Sequence, residues 1–283
     1  MRVDFFSLSQ SLSKMIPLLL TASIDTRGMK GAMFAAEERE KMYVDTLNFY
    51  IQEFERRGIH GRIVFAENSG WPKESVLAKL HPSQSVEIEY IALGTEDFVQ
   101  EKGKSYNELL MMDRAIEQSR IIQEAKYFFK LTGRFPILNA LDLIEEAEQW
   151  GKRHGGLQFY GDCKDHKVFD WLGLNINGHV GESRYYAVSV DFWNEHFRGR
   201  YIDMNDYEGR IVEYLILDVI RKTKCEQGVH CRYCTQARFT GSGGHSLGKG
   251  SSFFHSTDND SLVVKIKLGI RQLIRWMLPG LWL

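Results

Sequence analysis

The chain has 283 residues, of which 43% are hydrophobic and 26% are charged, and its formal net charge is −1. This composition is typical of a globular protein with a substantial core, and it excludes a mostly disordered chain. The near-neutral charge argues against a generally basic nucleic-acid binder, and four unevenly spaced cysteines are too few for a disulfide framework, so a reducing cytoplasm is expected.

Apolar runs of strand length alternate with helical patterns along the first half of the chain. In chain order the pattern predicts a strand at 16–24, a helix at 37–57, strands at 62–70 and 86–94, a helix at 106–122 and a strand at 125–131. The apolar run at 15–20 predicts neither a signal peptide nor a spanning helix. This alternation predicts right-handed crossovers onto a mostly parallel sheet.

The second half of the chain carries weaker signals of the same kind. Strands are predicted at 157–160 and 185–190, and the strongest later helix covers 207–222. The segment 240–252 is low in complexity, and the chain has no internal repeat. The predicted fold class is therefore α/β, with one main sheet.

Three predicted strands end in polar or charged residues, at 21–23, 67–70 and 130–134. Ligands bind outside the carboxyl ends of parallel strands, because loops and helix N-termini leave backbone donors free there. The segment 103–108 adds a glycine and a lysine at the start of a predicted helix, where an anion such as phosphate is favoured. An ordinary loop is the alternative for this segment, since it is not a P-loop, and no GxGxxG fingerprint follows the first strand.

Seven segments between about Pro17 and Gly244 carry a family resemblance. They are TASI, VFAENSG, GKSYNE, KLTGR, ESRYY, NDYEGRIVEY and RFTGSGG, and the elements KxTGR and NDxxGxxxE are the most specific parts. In this order they resemble the bacterial glycosyltransferases of capsule and lipopolysaccharide O-antigen assembly. The resemblance implies a GT-A-like (Rossmann-like), mostly parallel sheet flanked by helices, which binds a nucleotide-sugar donor.

The resemblance also implies a donor pocket. Its residues would be Thr21, Ala22 and Ser23 beside the nucleoside, Asn68 and Ser69 closing that side, Lys104 and Glu108 near the sugar or diphosphate, and Lys130, Thr132, Gly133 and Arg134 in the floor. Two positions depart from the family pattern, because Glu182 replaces an aspartate and Tyr214 replaces a histidine.

Sugar transfer from a nucleotide diphosphate needs positive charge at the phosphates. Lys130, Arg134 and Arg184 are the candidates for that charge. No DxD motif stands at the expected strand end, and its nearest approximation, Asp162 with Asp165, is interpreted as a solvated turn. A site without a metal is therefore the favoured hypothesis, and a divalent cation is the alternative.

A second requirement of the reaction is a carboxylate near the acceptor hydroxyl. Asp206, Glu208 and Glu213 compete for this role, and the resemblance favours Glu213. Asp206 shares a helix face with Glu213 if the helix begins early enough, and a helix N-cap is its alternative role. The alternative for Glu213 is a solvated helix face.

The cysteines offer a possible zinc site. Cys231 and Cys234 form a CxxC pair beside His230, with Cys225 close in sequence. A structural zinc site usually combines two such clusters, so no metal is predicted here.

The C-terminal segment is amphipathic. Its apolar stripe comprises Ile266, Ile270, Leu273, Ile274, Met277 and Leu278, and Lys267, Arg271 and Arg275 recur beside it at intervals of four residues. Trp276 and Trp282 suit an interface, and Pro279 should end the helix. This pattern predicts a helix that lies in an anionic membrane surface, with a helix docked on the domain or on a partner subunit as the alternative.

These patterns together predict a GT-A-like domain at 1–255 and an amphipathic tail at 256–283. The expected activity is sugar transfer from a nucleotide-sugar to a lipid-linked glycan acceptor in surface polysaccharide synthesis, at the cytoplasmic face of the inner membrane and without nucleic acid. The alternatives are a sugar nucleotidyltransferase, which would need a basic loop such as that of Arg27, Gly28 and Lys30, or a noncatalytic scaffold.

Overall fold

A seven-stranded mixed sheet forms the centre of the computed structural model, which describes residues 15–95, 98–165, 170–173, 178–240 and 262–277. Its strands are β1 (Leu18–Ala22), β2 (Gly61–Glu67), β3 (Val86–Ala92), β4 (Tyr127–Thr132), β5 (Phe159–Asp165), β6 (His179–Ser189) and β7 (Val229–His230). Their order is β3-β2-β1-β4-β6-β5-β7, in which β6 alone runs antiparallel to its neighbours. The predicted α/β class with a mostly parallel sheet is confirmed.

Helices cover both faces of this sheet. They are α1 (Ala36–Arg57), α2 (Lys73–Leu77), α3 (Lys104–Gln118), α4 (Arg120–Ala125), α5 (Ala140–Arg153), α6 (Val190–His196), α7 (Val212–Thr223) and α8 (Leu262–Met277). One apolar core joins α1 and α5 to the sheet, and a second joins α3, α4 and α7 to the opposite face. Because both faces are covered, β1 and β2 are buried along their whole length and read as continuous apolar runs.

The strand order creates a switch point between β1 and β4. The chain passes from β1 to β2 on one side and later returns to β4 on the other, so the loops that follow β1 and β4 diverge. Thr21 and Thr132 are register partners at the carboxyl ends of these strands. A crevice is expected at such a point.

Two helices have different bounds in the structure from those that the sequence predicts. The helix predicted at 106–122 is split into α3 and α4 by Ser119, which has extended backbone and accepts a hydrogen bond from the Ile122 N–H. The helix predicted from 207 begins only at Val212, because Gly209 takes a left-handed φ of 75° and ends a short 3-10 turn at Asp206–Glu208. The helix α5 is not among the predicted elements.

The C-terminal helix α8 lies against the domain through its polar side. Arg275 is only 3% exposed, and Gln272 bonds to the backbone of Cys234 and Gln236. The apolar stripe faces outward instead, and Trp276 is 74% exposed. The docked alternative therefore describes this side of α8, whereas the side chains of Ile266, Ile270, Leu273 and Met277 on its apolar side are more than half exposed.

Some predictions fall outside the described residues. The proposed domain boundary at 255/256 lies in the segment 241–261, and Leu278, Pro279 and Trp282 lie beyond 277. Among the described residues, no helix is both long enough and apolar enough to cross a membrane.

Candidate active site

A cavity of 650 Å³ opens at the carboxyl ends of β1 and β4 and extends across β6 to β5 and α8. Its volume lies within the range of roughly 300–1,000 Å³ that is usual for small-molecule sites. Among the described residues that line it, seven are cationic and four are carboxylates. The cations are Arg39, Lys104, Arg134, Lys164, Arg184, Arg271 and Arg275, and the carboxylates are Glu108, Asp162, Glu182 and Glu213. The cavity therefore favours an anionic ligand.

The predicted site residues fall into two groups. The residues that line the cavity are Thr21, Ser23, Lys104, Glu108, Thr132, Arg134, Arg184 and Glu213. Those that do not line it are Ala22, Asn68, Ser69, Lys130, Gly133 and Asp206. Residues of the second group can influence the cavity only by positioning the residues that line it.

A buried ion pair lies beneath the cavity. The Lys130 ammonium on β4 is 2.5 Å from the Glu108 carboxylate on α3 and also donates to the Ser183 carbonyl of β6. Burial alone would raise the pKa of Glu108, but Lys130 and Lys104 outweigh it and lower that pKa to about 2. The Glu108 carboxylate is thus ionised at neutral pH, while burial lowers the pKa of Lys130 against the opposing charge of Glu108. Lys130 is 1% exposed and consequently supports the floor rather than lining it.

Gly133 is required by packing within the protein. A Cβ there would lie 2.8 Å from the Thr21 carbonyl oxygen and 3.2 Å from the Tyr43 ring. The groups that approach Gly133 closely therefore belong to β1 and α1 of the protein itself. A larger residue would push apart the two strand ends that form the switch point.

The loops after β1 and β2 are held by buried polar side chains. Glu67 accepts hydrogen bonds from the backbone N–H groups of Ile24, Ser69 and Trp71. Asn68 accepts from the Ser23 hydroxyl at 2.6 Å, so Asn68 positions a lining residue without reaching the cavity itself.

Arg39 in the first turn of α1 also holds the loop after β1. Its guanidinium donates to the carbonyls of Ser23 and Ile24 over distances from 2.6 to 3.1 Å. Arg39 was not among the residues predicted from the sequence. It could have been noticed because it is a cation in the first turn of a helix, where the neighbouring residues are acidic.

Two buried polar atoms near the end of β4 have no hydrogen-bond partner among the described residues. They are Arg134 Nε and the Thr132 hydroxyl. Burial lowers the pKa of Arg134. The guanidinium also lies 5.9 Å from the ring centroids of Phe34 and Phe135. A buried donor without an acceptor is costly, so Arg134 Nε at the cavity wall points to an acceptor that a ligand supplies.

Two carboxylates lie on the middle of the cavity wall. Glu182 is paired with Arg184, whose Nε is 2.6 Å from Glu182 Oε1. Burial opposes the ionisation of Glu182, but Arg184 outweighs it and lowers the pKa of Glu182 to about 2. Glu213, near the start of α7, accepts a hydrogen bond of 2.7 Å from the Ser183 hydroxyl and forms no ion pair within the described chain. Glu213 is consequently the lining carboxylate that no cation neutralises directly.

Asp206 caps α3 instead of sharing a helix face with Glu213. Its carboxylate accepts from the Lys104 N–H at 2.6 Å and from the Ser105 N–H at 3.2 Å. The helix start at 103–108, where an external anion was expected, is therefore filled by a carboxylate of the chain itself. The Lys104 side chain still lines the cavity, together with Asn107 and Glu108, and its ammonium is 3.6 Å from the Glu108 carboxylate.

Asp162 lies in strand β5 and not in a solvated turn. Its carboxylate oxygens receive Arg275 Nη1 at 3.1 Å and Nη2 at 2.9 Å, and the Tyr185 hydroxyl donates at 2.5 Å. This buried pair joins α8 to the sheet and turns Arg271, one helical turn away, toward the cavity. The sequence predicted that Arg271 lies at a membrane surface, and Lys164 was not among the predicted site residues.

The described carboxylates and thiols do not fit a dedicated metal site. Glu108, Asp162 and Glu182 are each paired with a cation, and within the described chain no group of three metal-ligating side chains converges. His230 stacks on Trp150 at 5.0 Å, and the buried Cys231 and exposed Cys234 are free thiols.

Comparison with known proteins found no matching family model and no matching curated protein. Solved structures with a similar arrangement include mouse xyloside xylosyltransferase 1 in its apo form, at 10% identity over 77% of this chain and 85% of that one, with a TM-score of 0.44. The galactosyltransferase LgtC, bound to donor and acceptor sugar analogues, has 10% identity over 72% and 70% and a TM-score of 0.43. Core-mannan synthase A from Aspergillus fumigatus, in its Mn/GDP form, has 10% identity over 85% and 80% and a TM-score of 0.41. Similarity at this level establishes neither the substrate nor the activity of this chain.

The buried Glu108–Lys130 pair makes a prediction about stability. Glu108→Gln should lower the free energy of unfolding at pH 7 by about 3 kcal/mol, because it leaves the Lys130 ammonium buried without its carboxylate. The pKa of Glu108 is about 2 when folded, against about 4.3 for an unfolded glutamate. The pair therefore stabilises the fold above that range and loses its effect as the pH falls toward 2.

Urea denaturation at a series of pH values measures this effect. The difference in the free energy of unfolding between wild type and Glu108→Gln should shrink between pH 4 and pH 2. In this range Glu108 takes up its proton, because its pKa in the folded protein is ~2 units below the reference value for glutamate. Glu117→Gln, an exposed change on the same helix, is the matched control and should stay within about 0.5 kcal/mol of wild type. A difference for Glu108→Gln that is constant over the whole pH range contradicts the assignment.

Proposed function

We propose that this chain is a GT-A-like glycosyltransferase of the kind that assembles bacterial capsule or O-antigen polysaccharide. It would move a sugar from a nucleotide-sugar donor to a lipid-linked glycan acceptor. The single observation that carries the proposal is a pair of buried polar atoms at the switch point of the sheet, Arg134 Nε and the Thr132 hydroxyl, which form no hydrogen bond with the described residues. An α/β sheet binds ligands at this place, and a cationic donor there favours an anion.

The donor diphosphate is proposed to lie against Arg134 and Lys104. Both cations line the cavity, and the pKa of Lys104 is raised, mainly by Glu108, so Lys104 is charged at neutral pH. Thr21 and Ser23 at the end of β1 would border the nucleoside. Positive charge at this wall stabilises the diphosphate as its bond to the sugar breaks.

Glu213 is proposed as the general base. It would take the proton from the acceptor hydroxyl while that oxygen bonds to the anomeric carbon and the nucleotide diphosphate leaves. The hydrogen bond from the Ser183 hydroxyl fixes the carboxylate and leaves its second oxygen for the acceptor. Arg184, held by Glu182 and stacked on Phe239 at 4.2 Å, would act as a charge beside the departing diphosphate.

The nucleotidyltransferase alternative receives less support. A nucleotidyltransferase would need basic residues of the loop after β1 to contact the phosphates of its substrate. Instead, Arg27 donates a hydrogen bond to the Ser69 carbonyl, and the Lys30 ammonium lies over the Tyr207 ring. Neither residue lines the cavity.

The tail is proposed to hold the enzyme on the cytoplasmic face of an anionic membrane. The exposed apolar residues of α8 are Leu262, Val263, Ile266, Ile270, Leu273, Trp276 and Met277. The segment 262–277 has four basic residues and no acidic one. Arg271 and Arg275 face the domain, whereas Lys265 is exposed. An exposed apolar face on a helix with an exposed lysine and no acidic residue suits an anionic lipid surface, where a lipid-linked acceptor is also found.

The donor and the base are tested together. Arg134→Gln should weaken the binding of nucleoside diphosphates by about tenfold or more, because it removes a charge-assisted contact. Glu213→Gln should leave that binding unchanged and lower kcat by about 10² to 10⁴. Calorimetric titration with UDP, GDP, ADP and CDP gives the affinities, and a panel of nucleotide-sugars gives turnover.

The control for this test is Asp218→Asn, an exposed carboxylate on the same helix as Glu213. It should leave both quantities at the wild-type level. Release of pyrophosphate from a sugar phosphate and a nucleoside triphosphate would favour the nucleotidyltransferase. Absence of any turnover with the full panel would favour a scaffold, and normal turnover of Glu213→Gln would remove this residue from the mechanism.

Excess chelator distinguishes cationic side chains from a divalent ion that arrives with the donor. We expect transfer to persist in excess EDTA, because Arg134 and Lys104 already supply positive charge at the diphosphate. Complete loss of activity that manganese or magnesium restores would show that the ion is required.

Vesicle sedimentation tests the membrane proposal. The variant Ile270→Ser/Trp276→Ser should bind vesicles that contain phosphatidylglycerol at least about tenfold more weakly than wild type, because it removes two exposed apolar side chains. Trp171→Ser is the matched control, since Trp171 is 85% exposed but lies outside α8. Equal binding by all three proteins, or no binding by wild type, would reject the membrane role of α8.

A further inference from the structure

A second group of cations lies at the far end of the cavity from Arg134. Lys164 on β5 and Arg271 on α8 both line this end. The strand order β4-β6-β5 separates them from the end of β4 by two interstrand spacings, which is about 10 Å. One diphosphate group cannot fill both ends, so this pair is not explained by the donor alone.

The carboxylates nearest to this pair are already engaged. Asp162 is held by both Nη atoms of Arg275 and by the Tyr185 hydroxyl. Glu182 is held by the guanidinium and the backbone N–H of Arg184. Within the described chain, the side chains of Lys164 and Arg271 form no hydrogen bond or ion pair.

Burial and a neighbouring cation lower the pKa of each of these two side chains. Burial, and after it the charge of Arg271, lowers the pKa of Lys164. Burial, and after it the charge of Arg275, lowers the pKa of Arg271. Such an arrangement costs free energy in the empty protein, and an anion bound between the two side chains would offset that cost.

The position of the proposed base links the two ends of the cavity. Glu213 bonds to Ser183, and Ser183 belongs to β6, the strand between β4 and β5. The carboxylate therefore lies between Arg134 on one side and Lys164 on the other. In a transfer reaction, the acceptor hydroxyl must meet the donor at this base, so the remainder of the acceptor extends toward Lys164 and Arg271.

We infer that Lys164 and Arg271 form an acceptor subsite that binds a phosphate or carboxylate group carried by the acceptor. This inference rests on the proposed function and names the acceptor as an acidic molecule. The anion has two possible sources, the pyrophosphate that joins a glycan to its lipid carrier and the carboxylate of an acidic sugar. Since Arg271 belongs to α8, the subsite also gives the tail a direct part in substrate binding.

Calorimetric titration with inorganic pyrophosphate tests the subsite without requiring turnover. Wild type should bind two pyrophosphates, Arg134→Gln should lose one site, and Arg271→Gln should lose the other. Lys164→Gln should weaken the same site as Arg271→Gln, and it provides the test if the α8 variant does not fold, as judged by thermal unfolding. Arg56→Gln, the same change on the exposed side of α1, is the control and should bind two.

Kinetics then identify the source of the anion. Arg271→Gln should raise the KM for a charged acceptor by about 10- to 100-fold, the effect of one charge-assisted contact, and leave the KM for the donor unchanged. If the rise occurs with a lipid-pyrophosphoryl glycan and not with a soluble hexuronate glycan, the pyrophosphate is the ligand. The opposite pattern identifies the sugar carboxylate.

The inference and the proposed function fail in different ways. Two pyrophosphate sites in a protein that transfers no sugar would reject the glycosyltransferase and leave the second anion site. Wild-type pyrophosphate binding by both Arg271→Gln and Lys164→Gln, or an unchanged KM for every charged acceptor, would overturn the subsite even if transfer occurs.

Discussion

The ion pair between Glu108 and Lys130 is the constraint on which the site depends. Lys130 occupies an interior strand, where a charge is tolerated only with a partner at close range, and it bonds at once to α3 and to the backbone of β6. This contact joins the parallel part of the sheet to its antiparallel part beneath the cavity. Thr132 ends the same strand, and Arg134 lies in the loop that follows it. The ion pair of Lys130 therefore also sets the direction in which these two side chains enter the cavity.

Charge pairing divides the cavity wall into structural and available groups. Glu108, Asp162 and Glu182 each neutralise a cation; the first two pairs join α3 and α8 to the sheet, and the third lies within β6. Among the described residues that line the cavity, Arg134, Lys164 and Arg271 form no ion pair, and neither does the carboxylate of Glu213. A ligand that complements these side chains carries negative charge in two places and has a hydroxyl between them.

The sequence indicated the strands and the polar strand ends because both are local signals. A continuous apolar run marks a buried strand, and KLTGR stands out where a core would be dry. The roles of Asp206 and Asp162 could not be predicted in this way, since their partners are 102 and 113 residues distant in the chain. The start of α7 was placed too early because the helical pattern continues through Gly209, whose left-handed backbone ends the turn before it. The apolar face of α8 is apparent in the sequence, but only the tertiary contacts show that Arg271 and Arg275 face inward.

The attachment of α8 differs from that of an ordinary surface helix. A helix usually buries its apolar side and leaves its charges in water, whereas α8 is held by the Asp162–Arg275 pair and by amide contacts from Gln272. Its docking therefore buries little apolar area and should add little to the heat capacity change of unfolding. The charge of Asp162 outweighs burial and raises the pKa of Arg275. The guanidinium therefore keeps its charge, and the strength with which it holds α8 depends on whether water reaches the ion pair.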